Sequence, residues 1–315
     1  MKEIEVTIAS VVTLRGTMAI PDGENQKLPA VIIIPGSGKL DRNGKVNKKM
    51  DLQVYRQLAH FISKLGFITL RYDKRGVGES EGDFFETGMW DLVNDAKEGI
   101  NFLKKCPEVD AEKIIVLGHS EGAMIATAIA VREPIGGLIL LSGAVERLEE
   151  ALMRQRELVT KDILAAKGFL GWLLRLLGTH KKVEKQAQKF LGKLMDSKED
   201  VIKVQFQKIN AKWFREHFAY NVREDLGKID TRTLAITGER DIQANPDVIS
   251  RLSNYVKGES DYYVIPNMGH SLKMQEATST MFTVKKDLIK ESGQPLHPEL
   301  EITLQKWLEK YYLEG

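Results

Sequence analysis

The chain has 315 residues, of which 43% are hydrophobic and 29% are charged. This balance is typical of a soluble globular protein with a large core, and it excludes intrinsic disorder. The formal net charge is only +2, from 46 basic and 44 acidic side chains, so no field of the whole chain draws it to nucleic acid or to an anionic membrane. We therefore expect a small, neutral partner molecule.

The start of the chain and its single cysteine indicate in which cellular compartment we expect the protein. Cys106 has no second cysteine to pair with, and the first ten residues carry charged side chains where a secretory signal needs an apolar run. The most apolar short stretch, residues 169–177, is interrupted by Arg175 and is far shorter than the roughly 20 residues of a spanning helix. We predict a cytoplasmic protein without a membrane span.

Short apolar runs predict the strands of a central sheet. Alternating residues around positions 5–8 and 13–16 predict an antiparallel pair at one sheet edge. Six apolar runs follow, as is typical of parallel strands that are buried on both faces. These runs are residues 30–34, 67–71, 113–117, 137–141, 233–237 and 261–265.

Segments with helical spacing lie between most of these strands. They are residues 52–65, 87–103, 122–131, 246–256 and 298–311. The alternation predicts an α/β fold with a mostly parallel central sheet and helices on both of its faces. Ligands of such sheets bind beyond the carboxyl ends of the strands, so we expect the chemistry at that edge.

Residues 145–228 interrupt the alternation, because they are rich in Lys, Gln, Leu and Trp and contain no strand-like run. We interpret them as an inserted helical cap, or lid, on one core formed by residues 1–144 and 229–315. Trp172, Leu176 and Leu177 of the cap are predicted to bind substrate as an acyl-pocket wall, with a dimer contact or packing within the cap as alternatives. Nine lysines against four acidic residues between positions 181 and 212 predict a solvated helix face, with steering of an anionic substrate as the alternative.

The run 113–117 leads directly into Gly118-His119-Ser120-Glu121-Gly122, and an Ala-rich helical segment follows. A G-x-S-x-G sequence between strand and helix is typical of a nucleophile elbow. The turn is so tight that side chains at positions 118 and 122 would collide, and its strain exposes the serine hydroxyl. An ordinary turn is the alternative, but the context favours Ser120 as a nucleophile.

A serine at its own pKa is a weak nucleophile, so it needs a general base and a group that orients this base. Of the six histidines, only His270 follows a predicted strand. Asp241 lies shortly after the preceding strand, and Glu239 and Asp247 are competing candidates for the acid. The order Ser120, Asp241, His270 differs from that of chymotrypsin and subtilisin and matches the α/β-hydrolase fold.

Acyl transfer also needs N–H groups that point at the developing negative oxygen of a tetrahedral intermediate. We expect one from the backbone of Glu121, the residue after the nucleophile. The other is expected from the backbone of Ser37, in the Pro35-Gly36-Ser37-Gly38 loop after the first parallel strand. That loop would alternatively bind a phosphate, but no P-loop lysine follows it.

Several motifs together resemble those of bacterial α/β-hydrolase carboxylesterases, over most of the chain except the cap. They are Pro35-Gly36-Ser37-Gly38, Asp41-Arg42, Arg71-Tyr72-Asp73-Lys74-Arg75-Gly76-Val77-Gly78-Glu79-Ser80, Gly118-His119-Ser120-Glu121-Gly122, Gly238-Glu239-Arg240-Asp241 and Gly269-His270. The most similar subgroup is the esterases related to prolyl oligopeptidase and dienelactone hydrolase. The resemblance implies the α/β-hydrolase fold and hydrolysis without a cofactor or metal. The chain departs from this pattern at Pro35-Gly36, where many relatives have His-Gly, and a dienelactone hydrolase would have cysteine in place of Ser120.

These observations predict a serine carboxylesterase that hydrolyses short to medium acyl esters through an acyl-enzyme intermediate. Its partner would be a small-molecule ester, and the protein would act as a monomer or homodimer. One alternative is a peptidase of the proline iminopeptidase or oligopeptidase type, in which Glu216 or Glu224 would bind the substrate amine. Another is a noncatalytic α/β-hydrolase that serves as a binding module, although such modules usually lack a member of the triad.

Overall fold

A computed structural model describes residues 1–23 and 27–313. The strands are β1 (Lys2–Ala9), β2 (Thr13–Ile20), β3 (Leu28–Ile34), β4 (Lys45–Asn47), β5 (Met50–Asp51), β6 (Ile68–Tyr72), β7 (Val109–His119), β8 (Gly137–Leu141), β9 (Val201–Val204), β10 (Gln207–Asn210), β11 (Thr233–Gly238) and β12 (Ser260–Ile265). Eight of them form one sheet in the order β1-β2-β6-β3-β7-β8-β11-β12.

The pairing within this sheet confirms the predicted arrangement. β2 pairs antiparallel with β1 and with β6, whereas the remaining neighbours are parallel. Every residue of β6, β8 and β11 is buried, because helices cover both faces of these strands. The carboxyl ends of the parallel strands therefore meet at one edge, where the candidate site lies.

The α-helices are α1 (Val54–Lys64), α2 (Met89–Lys105), α3 (Glu121–Ala130), α4 (Leu148–Ala165), α5 (Gly168–Leu176), α6 (Thr179–Met195), α7 (Ala211–Ala219), α8 (Val222–Leu226), α9 (Val284–Lys290) and α10 (Pro298–Leu308). The predicted helix at 246–256 is a 3₁₀ helix, Pro246–Asn254, and a π-helical turn, Glu309–Leu313, follows α10. α2 and α3 pack on one face of the sheet and α1 and α10 on the other. The buried side chains of α2 recur every three or four residues, as at Leu92, Ala96 and Ile100, so one stripe of the helix faces the sheet.

The segment between β8 and β11 contains α4 to α8 and also the antiparallel hairpin of β9 and β10. The expectation that this segment contains no strand was therefore wrong. Each strand of the hairpin has only four residues, which is too short for a periodic pattern to distinguish it from a loop. The division of the chain into core and cap stays a prediction. In the part of the chain that the structure describes, no helix is both long and apolar enough to cross a membrane.

Candidate active site

Ser120 lies in the turn between β7 and α3. Its backbone has φ 56° and ψ −120°, a conformation that residues other than glycine rarely adopt. The glycines on either side permit this turn, because a Cβ at Gly118 would overlap the carbonyl oxygen of Gly122, and a Cβ at Gly122 would overlap that of Ile34. The G-x-S-x-G spacing is therefore a steric requirement of the turn.

Side chains from three separate loops meet at this edge of the sheet. His270 Nε2 lies 3.1 Å from Ser120 Oγ, and His270 Nδ1 lies 3.0 and 2.9 Å from the two carboxylate oxygens of Asp241. Asp241 Oδ1 also accepts the backbone N–H groups of Gln243 at 2.8 Å and Ala244 at 2.9 Å. Ser120, His270 and Asp241 thus form one hydrogen-bonded chain.

The charge of Asp241 determines which nitrogen of His270 carries the proton. Burial would raise the pKa of Asp241, but His270 and two backbone N–H groups outweigh it and hold this pKa below its usual range. The carboxylate is therefore ionised at neutral pH and accepts a hydrogen bond from Nδ1–H of the neutral ring. Nε2 is then unprotonated and faces the hydroxyl of Ser120 as an acceptor.

The competing acids have other surroundings. Glu239 Oε2 accepts the backbone N–H of Asn267 at 3.3 Å, and Asp247 lies in the first turn of the 3₁₀ helix. Within residues 1–23 and 27–313, neither carboxylate hydrogen-bonds to His270.

His119, the second residue of the elbow motif, is buried and joins two loops of the site. Its Nε2 lies 2.9 Å from the carbonyl oxygen of His270, and its Nδ1 lies 3.1 Å from the hydroxyl of Tyr55. This hydroxyl accepts the backbone N–H of Gly36 at 2.7 Å. Burial, and then the neighbouring His270, lower the pKa of His119 to about 3, so the ring is neutral.

The neutral ring gives each donor in this network one acceptor. His119 Nε2–H donates to the carbonyl of His270, the Tyr55 hydroxyl donates to His119 Nδ1, and Gly36 donates to that hydroxyl. The loop at Gly36 is thereby tied to the loop at His270 through the elbow. Sequence reasoning assigned no role to Tyr55 or His119, because the two residues are 64 positions apart and no local pattern links them.

The two predicted oxyanion donors belong to segments close to Ser120. A Cβ at Gly36 would be 3.1 Å from Ser120 Cβ, so the loop that contains Ser37 approaches the nucleophile closely. Among the described residues, the backbone N–H groups of Ser37 and Glu121 have no hydrogen-bond partner. Glu121 is the first residue of α3, where the helix dipole favours negative charge. Both N–H groups are free to bind an anionic oxygen, and their role as donors stays a prediction.

A cavity of about 250 Å³ opens beside Ser37 and Glu121. Its apolar lining consists of Phe84, Phe85, Leu92, Ile209, Trp213 and Phe214. The first three belong to α2 and the loop before it, and the other three belong to β10 and α7 of the inserted segment. The cavity therefore lies between α2 with its preceding loop and the segment of β10 and α7, and the side chains of Ser120, His270 and Asp241 are not part of its lining.

The cap residues predicted to bind substrate lie outside this cavity, and their role in binding stays a prediction. Trp172, Leu176 and Leu177 do not line the cavity, and they are 52%, 65% and 55% exposed. Apolar character indicated burial, but it does not say towards which side a half-exposed helix turns its apolar face. Trp213 and Phe214 do line the cavity. They were not predicted to bind substrate, because the sequence around them indicated a helix but no particular role for it.

The side chain of Glu121 is buried and contacts both the core and the insertion. Its carboxylate lies 3.2 Å from Lys74 Nζ and 3.2 Å from His217 Nε2, and it accepts the indole N–H of Trp213. Burial would raise the pKa of Glu121, but Lys74, His217 and Trp213 lower it to about 2. Lys74 also donates to the carbonyl of Gly36 at 2.6 Å. The charged carboxylate of Glu121 thus links α7 to the turn at Ser120 through its contacts with His217 and Trp213.

The insertion also contacts the loop that carries Asp241. Arg154 of α4 donates to the carbonyl oxygens of Ile242 at 2.9 Å and Gln243 at 2.8 Å. Together with the contacts of α7, this places the insertion against loops on both sides of Ser120.

Two further carboxylates were candidates for binding a substrate amine. Glu216 accepts the backbone N–H of Trp90 at 3.0 Å, and Glu224 accepts the side-chain amide of Asn221 at 2.7 Å. Neither glutamate lines the cavity. In the described ranges, no group of three or more His, Cys, Asp and Glu side chains is arranged to hold a metal ion.

Comparison with known proteins identifies the family. A family model described as serine aminopeptidase, S33, matches residues 49–277. Esterase EstD of Thermotoga maritima is 32% identical over 142 residues, which are 45% of this chain and 33% of that protein. The match thus spans about a third of the length of the curated relatives.

Solved structures share the fold at low sequence identity. The α/β hydrolase GrgF from Penicillium sp. sh18 has a TM-score of 0.62 at 16% identity, covering 99% of this chain and 100% of that chain. The proline iminopeptidase of Mycobacterium smegmatis has a TM-score of 0.61 at 15% identity, covering 99% of each chain. These likenesses confirm the α/β-hydrolase fold. Because the family model matches most of its length, the chain belongs to the S33 serine aminopeptidase family of α/β-hydrolases.

Proposed function

We propose that the chain is a serine carboxylesterase in which Ser120 is the nucleophile, His270 the general base and Asp241 the acid that orients the base. The observation that carries the proposal is the series of hydrogen bonds that joins these three side chains. Ser120 Oγ attacks the ester carbonyl while His270 takes its proton and returns it to the departing alcohol. Water then attacks the acyl-enzyme with the same base, which releases the acid and restores Ser120.

Two backbone N–H groups are proposed to stabilise the tetrahedral intermediates. Those of Ser37 and Glu121 are free of other partners in the described structure, and both residues line the cavity. Preorganised donors of this kind act where negative charge develops, so they stabilise the transition state more than the substrate.

The size of the cavity supports the proposal that the substrate carries a short to medium acyl group. Its volume of about 250 Å³ is below the range of roughly 300 to 1,000 Å³ that is usual for ligand pockets, and its wall is mainly aromatic. Each methylene group buried there would contribute ~0.8 kcal/mol until the cavity is full. We therefore expect kcat/KM to rise with acyl length and then to level off.

Charge around the cavity favours ester hydrolysis over aminopeptidase activity. An aminopeptidase needs a carboxylate for the ammonium group of its substrate, and Glu121, the acidic residue in the wall, is already paired with Lys74. Lys208 also lines the cavity and would repel an ammonium group. The name of EstD supports the esterase, whereas the family description makes an aminopeptidase the second candidate.

Three finer properties stay predictions from the sequence. They are a relationship to the prolyl oligopeptidase and dienelactone hydrolase groups, a cytoplasmic location, and a monomeric or homodimeric state.

The test is a panel of p-nitrophenyl acyl esters of increasing length and of aminoacyl p-nitroanilides, with Ser120→Ala as the control. We expect the esters to be hydrolysed and the anilides to be poor substrates, and Ser120→Ala to lower kcat by on the order of 10³ or more. Anilide turnover above ester turnover, and dependent on Ser120, would favour the aminopeptidase. No turnover of either class by the purified wild type would favour the binding module.

A further inference from the structure

The outer side of α5 carries a row of large apolar side chains, here called the α5 face: Phe169, Trp172, Leu176 and Leu177. The first three are spaced three and four residues apart, so they stand on one side of the helix. The four residues are 74%, 52%, 65% and 55% exposed. The rings of Phe169 and Trp172 have centroids 5.6 Å apart, so these two side chains form one apolar patch, and Leu176 and Leu177 lie about one turn further along the helix.

Two contacts on the opposite side of α5 keep this face outside. Arg175 donates to the carbonyl oxygens of Leu164 at 3.2 Å and Ala166 at 2.7 Å, near the carboxyl end of α4. Gly171 is buried at the same place, and a Cβ there would overlap the carbonyl of Ala166. Turning the α5 face inward would break these hydrogen bonds and this close packing.

The stretch of sequence that contains the α5 face is rich in positive charge. Residues 164–195 contain seven Lys and Arg side chains and one acidic residue. Lys167 just before α5, and Lys181 and Lys182 just after it, are exposed, and a nine-residue helix is only ~14 Å long. The acidic residue, Glu184, is paired with an arginine of α4 at 2.9 Å. The near-zero net charge of the whole chain hides this local excess.

We propose that the α5 face and its flanking lysines dock onto a lipid surface that carries anionic headgroups. Trp, Phe and Leu side chains bordered by Lys are typical of helices that lie in a membrane interface. The apolar groups enter the boundary between headgroups and acyl chains, and the lysines are attracted to the anionic headgroups. Trp172 suits this boundary because its indole is largely apolar and has one polar N–H.

A second copy of the chain is the competing occupant of the α5 face. A symmetric dimer through this face would place the same surface of both copies in contact. The excess positive charge of residues 164–195 in one copy would then face that of the other, which is unfavourable. An anionic lipid surface matches both the apolar and the cationic part of the face.

The test measures binding without turnover, so its outcome is independent of the chemistry proposed at Ser120. The full chain is sedimented with vesicles of phosphatidylcholine alone, or of phosphatidylcholine mixed with phosphatidylglycerol. We expect binding to the mixed vesicles that weakens as salt is added. Brominated lipids should quench tryptophan emission in the wild type, and Trp172→Phe should lose most of this quenching.

Variants in the α5 face and control variants elsewhere distinguish binding through the α5 face from binding through other parts of the surface. Phe169→Ser combined with Leu176→Ser, and Lys181→Gln combined with Lys182→Gln, should each lower the affinity for mixed vesicles by on the order of tenfold. The controls are Phe282→Ser, at an exposed phenylalanine outside the insertion, and Lys48→Gln combined with Lys49→Gln, at another exposed lysine pair. The controls should bind as the wild type does, and thermal midpoints show that each variant is folded.

Two results would overturn the proposal. One is binding to mixed vesicles that does not exceed binding to phosphatidylcholine alone, or that falls equally in the control variants. The other is a wild-type dimer in light scattering that Phe169→Ser with Leu176→Ser dissociates, while vesicle binding is absent. That result would assign the α5 face to a second copy of the chain.

Discussion

The central sheet and the inserted segment differ in how they are held together. In β6, β8 and β11 every residue is buried, whereas α4 and α6 bury one residue each, Ile163 and Leu194. Close packing fixes the strand ends, and with them the loops of the candidate site. Within the insertion, α8 packs into the core through Val222 and Leu226, whereas α4 and α7 contact the loops of the site through polar groups, such as those of Arg154 and Glu121. We therefore expect changes at the strand ends to alter the rate of the chemical step, and changes in the insertion to alter substrate preference.

The largest effect is expected at a strand-end loop. Asp241→Asn should lower kcat by on the order of 10³ to 10⁴, because an amide stabilises the wrong tautomer of His270 and does not stabilise its protonated form. Glu239→Gln is the matched control, since it changes a carboxylate in the same loop that bonds to the N–H of Asn267. Steady-state kinetics on esters measures both variants. An equal loss in Glu239→Gln would contradict the assignment of the acid.

The next effect concerns Glu121, where the core and the insertion meet. Its pKa is about 2 in the folded protein against a usual value of 4.5, so the folded state holds the proton less tightly than the unfolded chain. The resulting stabilisation is present above pH ~4.5 and is lost as the pH falls towards ~2. Glu121→Gln should therefore be less stable at neutral pH, by ~3 kcal/mol because Lys74 is left as an uncompensated buried charge.

Urea unfolding at a series of pH values measures this difference. The gap in the free energy of unfolding between the wild type and Glu121→Gln should narrow on acidification below pH ~4.5. Glu184→Gln, which removes an exposed partner of Arg156, should have a much smaller effect at every pH. A gap of constant size from neutral to acidic pH would contradict a charged Glu121.

A smaller effect on the rate is expected at Tyr55, and Tyr312 provides the control. The Tyr55 hydroxyl links Gly36 to His119, whereas the Tyr312 hydroxyl donates to the carbonyl of Gly136 at 2.8 Å, away from the site. Tyr55→Phe and Tyr312→Phe should each cost ~1 to 3 kcal/mol of stability, because the first leaves the buried N–H of Gly36 and the second the half-buried carbonyl of Gly136 without its partner. Only Tyr55→Phe should also lower kcat, by about tenfold with little change in KM, since Gly36 precedes the proposed donor Ser37. A similar fall of kcat in both variants would mean that Tyr55 has only a structural role.

The smallest effect, a shift of substrate preference, is expected within the insertion. Phe214→Ala enlarges the cavity and should move the preferred acyl chain towards greater length, with a change of a few-fold in relative kcat/KM. Phe169→Ala removes an exposed phenylalanine of the same segment and should leave the chain-length profile unchanged. The ester series compares the two. Identical profiles in both variants would show that the cavity does not receive the acyl group.

The same difference between the central sheet and the inserted segment explains which parts of the fold and of the site could be predicted from the sequence. Strands buried on both faces consist of apolar runs, so their order and the loops after them could be predicted, including the position of Ser120. The run before His270 also predicted a strand correctly, but that strand, β12, is the exposed edge of the sheet and not buried on both faces as expected. The hairpin of β9 and β10 was missed because its strands are short. The exposure of Trp172 could not be predicted, because apolar character does not give the direction of a helix face. The link from Tyr55 to His119 depends on tertiary contact alone.

The central claim is that His270 activates Ser120 as the nucleophile, and covalent labelling tests it most directly. A fluorophosphonate reacts with activated serine hydroxyls, and trypsin cleavage after Lys113 and Arg132 releases a peptide whose only serine is Ser120. We predict that mass spectrometry finds the label on this peptide in the wild type, finds none in Ser120→Ala, and shows labelling slowed by on the order of 10³ in His270→Ala. Labelling of another serine in the wild type, or an unchanged rate in His270→Ala, would contradict the account.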